Sequence, residues 1–217
     1  MNVALFGGTF DPIHCGHLSA ARAARKRFAL DFIYFIPAGR PPHRVCDRLT
    51  RFEHRYAMVA LACAGQPGFL PSLAESPSTR GVNYSIRTVR RFRRELGPAD
   101  RLFFLIGVDA FLEFRTWRQW RQLLDSANFL IVSRPGFPLQ RVEQVFPPEL
   151  LCGRSAAPGP GEVEEFRLRR TSAWVLPGVR ESVSGTEARR RARSRQSLAG
   201  LAPSVVAEYI TQQRLYQ

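Results

Sequence analysis

The run Gly7-Gly8-Thr9-Phe10-Asp11-Pro12-Ile13-His14-Cys15-Gly16-His17 holds the residues of this 217-residue sequence best suited to chemistry. Its paired glycines let backbone amides come close to an anionic ligand. Small and apolar residues recur at helical spacing from about Gly16 to Phe28, so a helix would present its N-terminus to the same anion. His14 and His17 lie three residues apart at the mouth of that helix and can reach one volume, with Gly16 leaving room between them for a bulky nucleotide. Two imidazoles in this setting suit phosphoryl transfer, where developing charge needs preorganised donors. A bare histidine pair also fits metal ligation or helix capping.

The surrounding elements must bring such a loop to a rim. Val3–Phe6 reads as a short buried strand running into the glycine turn, and Phe32–Pro37 as a second. Ala38–Leu49 is polar and proline-rich, a loop. Thr50 and Glu53 form a T-x-x-E capping box, predicting a helix with Tyr56, Val59, Ala60 and Cys63 on one face. A third strand is expected near Phe69–Ala74, a helix from about Ser85 to Leu96 stopped by Gly97-Pro98, and further strands at Leu102–Ile106 and Asn128–Ser133. A helical stretch bearing Trp117 and Trp120 separates the last two. Strands alternating with helices predict an α/β, Rossmann-like, doubly wound and mostly parallel sheet with helices on both faces, as one domain over 1–217 with a C-terminal helical portion at about 184–217. In that architecture ligands sit at the carboxyl ends of the strands, near the switch point. Gly7–Gly8, Gly39–His43, Gly107–Asp109 and Arg134-Pro135-Gly136 all follow strands and would line one rim. Ala156–Gly161 reads as a surface excursion.

The eleven-residue run resembles the signature of the HxGH nucleotidyltransferases, and more closely that of bacterial nicotinate mononucleotide adenylyltransferases. Other segments are similar to the same family in the same order: the Pro41-Pro42-His43-Arg44 loop, Asn83-Tyr84-Ser85, Ile106-Gly107-Val108-Asp109 with Trp117, Ser133-Arg134-Pro135-Gly136, and Val183-Ser184-Gly185-Thr186-Glu187-Ala188-Arg189. Ser184 and Glu187 are also a capping box in their own right. The resemblance runs from about Val3 to Tyr216, but Pro147–Arg170 matches nothing.

The resemblance implies transfer of the adenylyl group of ATP to nicotinate mononucleotide. It implies catalytic roles for His14, His17, Arg44 and Arg189. On the ATP side it implies Gly7, Gly8, Thr9, Phe10, His17, Ile106, Gly107, Asp109, Arg134, Ser184 and Thr186. On the mononucleotide side it implies Gly39, Arg44, Tyr84, Ser85 and Trp117, with Trp117 stacking on the pyridine ring; Trp120 reads instead as a core aromatic. Mg²⁺ is expected to arrive with ATP, since no set of residues reads as a dedicated metal cage.

Composition bounds the alternatives. The net charge is +14, nearly all of it arginine, because Lys26 is the sole lysine. Such a chain attracts anions of many kinds, so a basic nucleic-acid binder is a rival of another class. The basic residues are spread along the chain and no aromatic RNA-binding run accompanies them, which argues against a specific nucleic-acid partner. Arg190, Arg191, Arg193 and Arg195 read as a solvated face. Rivals within the chemistry are nicotinamide mononucleotide or phosphopantetheine as acceptor and a cytidylyl donor. Four scattered cysteines and no span-length apolar run predict a cytoplasmic protein with no signal peptide and no membrane partner. Oligomeric state is left open, a homo-oligomer included.

Overall fold

Val3, Ala4, Leu5 and Phe6 are all apolar, and successive side chains of a strand face opposite ways, so all four are buried only in a sheet covered on both sides. The computed structural model, which describes residues 1–39, 49–77, 83–133, 140–156, 163–176 and 183–217, has that arrangement. Strand β1 (Asn2–Gly8) sends Ala4 and Phe6 into one core and Val3 and Leu5 into the other.

The other strands are β2 (Phe32–Pro37), β3 (Phe69–Pro71), β4 (Arg101–Gly107), β5 (Asn128–Val132), β6 (Leu151–Ala156), β7 (Glu164–Leu168) and β8 (Ser172–Leu176). They form one sheet in the order β3-β2-β1-β4-β5-β8-β7-β6. Neighbours from β3 to β8 are parallel; β7 and β6 add an antiparallel edge. This is the α/β, mostly parallel, Rossmann-like sheet the sequence predicts.

Helices α1 (Cys15–Phe28), α2 (Phe52–Cys63), α7 (Gly185–Arg193) and α8 (Ser204–Gln212) cover one face. Helices α3 (Ser85–Glu95), α4 (Val108–Leu112), α5 (Trp120–Leu124) and α6 (Gln140–Glu143) cover the other. The order of strands reverses at β1 and β4. From β1 the chain enters α1, whose Leu18, Ala21 and Ala24 pack on the first face; from β4 it enters α4, whose Val108 and Phe111 pack on the second. Two adjacent parallel strands thus send their loops apart, and a crevice opens at their carboxyl ends. Gly7–Gly8, Gly39 and Gly107–Asp109 fall at this rim, in register: Gly8 is level with Pro37, and Gly107 with Val132.

Several expectations change. Helix α2 starts at Phe52 with Arg51 at its N-cap and no side-chain cap, so the Thr50–Glu53 capping box does not form; Glu53 pairs at the surface with Arg51. The buried face of α2 is Phe52, Arg55, Met58, Val59, Ala62 and Cys63, while Tyr56 and Ala60 are only half-buried. Phe52 and Arg55 fix that rotation by turning inward. Strand β3 ends at Pro71, three residues before Ala74. The unmatched stretch Pro147–Arg170 contains β6 and β7, and β8 follows it. Trp120 is half-buried rather than core, with Arg115 and Arg121 over its ring at 5.8 and 4.5 Å. His43, Arg44, the Arg134-Pro135-Gly136 turn and most of Ala156–Gly161 lie outside the described residues. No helix among the described residues is long and apolar enough to cross a membrane.

Candidate active site

The glycine run leaves β1 and reaches α1 through a backbone that local preference alone would not choose. Phe10 has φ +49°, in the left-handed region that costs a residue with a Cβ on the order of 1–2 kcal/mol. Its ring is buried among Phe6 and Phe35, at centroid distances of 5.5 and 5.9 Å, and meets the His17 ring edge-on at 5.0 Å. A Cβ on Gly8 would lie 3.0 Å from that ring, so glycine here makes room for Phe10. Phe10 and Ile106 were both expected to contact ATP, but both side chains are in the cores. What they can offer a ligand is main chain.

His14 is the N-cap of α1 and His17 sits in its first turn. Their rings stack with centroids 3.6 Å apart and planes 24° from parallel. The His14 N–H donates to His17 Nδ1 at 3.3 Å, which leaves His17 Nε2 as the protonated nitrogen of a neutral ring. His14 Nδ1 is buried with no hydrogen-bond partner among the described residues. Burial lowers the His14 pKa to about 4, and burial together with the adjacent His14 holds His17 well below the usual imidazole range. At neutral pH the site therefore holds two uncharged imidazoles. Gly16 plays a different part from the one expected: a Cβ there would lie 3.2 Å from His14 Nδ1, so its missing side chain admits the His14 ring. The first amide of α1, that of Cys15, donates to Leu201 O at 2.8 Å and so is already committed.

Among the described residues, six distant ones hold this loop. Arg55, buried at 1% exposure, donates from Nη1 to Thr9 O at 2.7 Å and from Nε to Thr50 O at 2.9 Å. The buried Asp11 carboxylate accepts from Thr50 N at 3.4 Å and from the Tyr216 hydroxyl at 2.8 Å. Arg189 Nη1 donates to Asp11 O at 2.7 Å, and its Nη2 to Thr186 Oγ1 at 3.3 Å. Gly185 packs against the same carbonyl, where a Cβ would stand 3.3 Å away. Leu201 holds Cys15, as above. The fold thus brings Arg189, Ser184 and Thr186 to the histidine loop, as the sequence predicts. Ser184 caps α7 by accepting from Glu187 N at 3.2 Å. The Glu187 carboxylate does not complete the box; it pairs with Arg190 and Arg191, whose hydrogen bonds bring its pKa to about 2. These two arginines are therefore ion-paired as well as solvated. Sequence reasoning missed Asp11, Arg55 and Tyr216 as parts of the site, and the 2.8 Å bond from Tyr216 joins residues 205 apart in the chain.

A second group gathers at the ends of β2 and β3. Gly39 lies so close to the next segment that a Cβ would fall 2.0 Å from Glu75 O and 2.7 Å from Asn83 Nδ2. Asn83 Nδ2 also donates to Glu75 O. The Glu75 side chain is buried, accepts from Thr88 Oγ1 at 2.8 Å, and has its pKa raised by burial, with the Thr88 bond opposing. Tyr84 stands at the N-cap position of α3 without a side-chain capping bond, Ser85 is its first residue, and both are half-buried. The Arg118 guanidinium lies 4.9 Å over the Tyr84 ring, tying the start of α3 to the Trp117 segment. Trp117 packs edge-on against Phe104 at 6.2 Å and on Phe114 at 5.4 Å. Phe104 in turn lies 3.7 Å from where a Gly7 Cβ would be, so the Trp117 group and the glycine loop meet over β1 and β4. Asp109 is exposed in the first turn of α4, at the end of β4.

A glycine-rich turn with a histidine pair at the switch point of a mostly parallel sheet defines a nucleotide-handling α/β enzyme. A family model described as cytidylyltransferase-like matches residues 5–191. Proteins named probable nicotinate-nucleotide adenylyltransferase from Moorella thermoacetica and Geobacter metallireducens are each 39% identical to this chain; the alignments cover 99% and 100% of it and 91% and 98% of the relatives. The solved Plasmodium falciparum nicotinic acid mononucleotide adenylyltransferase complexed with NaAD shares the fold, with a TM-score of 0.72 over 99% of this chain and 97% of that one at 18% identity. The chain belongs to the cytidylyltransferase-like nucleotidyltransferases and, within them, to the nicotinate-nucleotide adenylyltransferase family.

Proposed function

We propose that this protein is the nicotinate-nucleotide adenylyltransferase of its cell, transferring the adenylyl group of ATP to nicotinate mononucleotide with release of pyrophosphate. The stacked, uncharged His14–His17 pair on a braced glycine loop carries the reading, together with full-length relatives of that name. An oxygen of the mononucleotide 5′-phosphate attacks the α-phosphorus of ATP. The new P–O bond forms as the bond to the α,β-bridging oxygen breaks, and pyrophosphate leaves with that electron pair. The attacking phosphate is already anionic at neutral pH, so no side chain acts as nucleophile or base. Positioning and electrostatics supply the acceleration.

In this reading His17 Nε2–H donates to the transferring phosphoryl group, and His14 lies against the ATP phosphates. Arg189, already beside the loop, and the N-terminus of α7 with Ser184 and Thr186 stabilise the departing pyrophosphate. Gly7, Gly8, Thr9, Phe10, Ile106 and Gly107 contribute main chain to the ATP side, and Asp109 a carboxylate acceptor; Gly39, Tyr84, Ser85 and Trp117 form the acceptor side. Arg44 and Arg134 keep their proposed places on the mononucleotide and ATP sides from sequence alone. The donors around the loop are imidazoles, a guanidinium and amides, which fit phosphate oxygens rather than a hard cation. Mg²⁺ would be held by the phosphates of ATP, where it offsets their charge. The reaction serves NAD synthesis, a cytoplasmic task.

Replacing His17 by alanine removes the donor while leaving the helix. Turnover should fall on the order of 100- to 1,000-fold, with circular dichroism and the melting temperature close to native. Turnover within about threefold of native from folded His17→Ala would contradict the role given to this residue.

A further inference from the structure

Among the described residues, the histidine loop is held by groups that lie far away in sequence, and of these Arg55, Thr50 and Tyr216 have no part in the proposed reaction. The conformation needs them, because Phe10 sits in the left-handed region and the turn from β1 to α1 carries both reacting-side histidines. Arg55 fixes the loop at Thr9 O, and the Asp11 carboxylate fixes it two residues later. Of the two donors to that carboxylate, Thr50 N is long at 3.4 Å and the Tyr216 hydroxyl is short at 2.8 Å. Tyr216 is half-buried at φ +70°, and its neighbour Leu215 is buried in the same core as Phe10 and Ile13. Burial and the Asp11 carboxylate keep the phenol protonated far above neutral pH, so it donates at every working pH. Asp11 thereby has an acceptor geometry set from the far end of the fold.

We infer that Tyr216 is a positioning residue for adenylyl transfer: through its hydrogen bond to Asp11 it sets the turn that aims His14 and His17 at the nucleotide. The inference rests on the proposed reaction. Tyr216 touches no substrate; it acts through Asp11 and the backbone between Asp11 and His14. A displacement of about 1 Å at such a loop can cost on the order of 100-fold in rate, and losing one of several braces should cost a fraction of that.

The test is Tyr216→Phe, which keeps the ring and its packing and removes the hydroxyl, with Asp11→Ala, which removes the acceptor, and the double variant beside it. Each is assayed well below its melting temperature. For Tyr216→Phe we expect kcat for nicotinate mononucleotide adenylylation to fall about 10-fold while the KM for the mononucleotide changes less than about twofold. The double variant should be no slower than Asp11→Ala alone, because Asp11→Ala already removes the acceptor of the Tyr216 hydroxyl. Imidazole resonances of His14 and His17 in the ligand-free protein should shift in Tyr216→Phe, a readout independent of any substrate. A native kcat together with unshifted histidines would overturn the inference and leave Tyr216 a packing residue. So would rate losses that multiply in the double variant. Shifted histidines in a native protein that adenylylates no pyridine mononucleotide would instead sustain the bracing and overturn the proposed reaction.

Discussion

His14 and His17 owe their state to position more than to residue type. An isolated imidazole is part-charged near neutral pH, yet here burial keeps both neutral, with the neighbouring His14 adding to the effect on His17. A neutral ring whose Nδ1 accepts from backbone must donate from Nε2, which suits phosphate recognition. The same shift carries a stability consequence. With a folded pKa of about 4 against 6.5 in the unfolded chain, His14 is protonated first in the unfolded state as pH falls. Stability is therefore unaffected by this group above about pH 6.5 and declines between there and about pH 4. The melting temperature of ligand-free protein should drop from pH 7 to pH 5, and by less in His14→Asn, which has no proton to gain. Equal drops in both proteins would show that His14 does not titrate as its burial demands. The residue types of this pair and their meeting in one volume were legible in sequence. Their partners were not. Arg55 reads as one more cation on an amphipathic helix, and only the folded chain shows it turned inward toward Thr9 O and Thr50 O.

Among the elements, the strands buried on both faces were the most legible, because β1, β2, β4 and β5 are near-continuous apolar runs. Strand β7 carries Glu164, Glu165 and Arg167 around an inward Phe166 and Leu168, a charged alternation that does not announce a sheet. The α2 start was misjudged for a reason of long range: Thr50 serves the Asp11 loop and Arg55, not the helix cap. Gly39 shows how closely the elements meet at the acceptor side. A methyl group there would sit 2.0 Å from Glu75 O, a contact that can be relieved only by moving β2's exit away from the Glu75–Asn83 segment. Gly39→Ala should cost on the order of 1–3 kcal/mol, a fall of roughly 2–12 °C in melting temperature. It should also raise the KM for the mononucleotide more than that for ATP. An unchanged melting temperature with unchanged KM values would mean that the two segments are not in contact.

At the scale of the whole molecule, the last part of the chain closes back on the first. The loop after β1 receives donors from Arg189 and Tyr216 and gives one to Leu201; the motif at Val183–Arg189 was legible in sequence, whereas the parts of Leu201 and Tyr216 were not. Contacts across such separations leave no periodicity for sequence reading to find, whereas the order of short motifs along the chain does survive in it. The charge of +14 could not by itself choose among anionic partners, and part of it lies away from the strand ends that form the candidate site. Arg90, Arg93, Arg94, Arg101 and Arg170 share a cleft of about 970 Å³ at the starts of β4 and β5, the opposite end of the sheet. The proposed site, in contrast, lies at the carboxyl ends of β1 and β4. The most direct measurement is pyrophosphate release from ATP and Mg²⁺ with nicotinate mononucleotide, nicotinamide mononucleotide and phosphopantetheine supplied in parallel. Release chiefly with nicotinate mononucleotide is the predicted result. Release with phosphopantetheine alone would retain the histidine loop but contradict the acceptor site at Tyr84 and Trp117, and no release with any of the three from folded protein would contradict the proposed activity altogether.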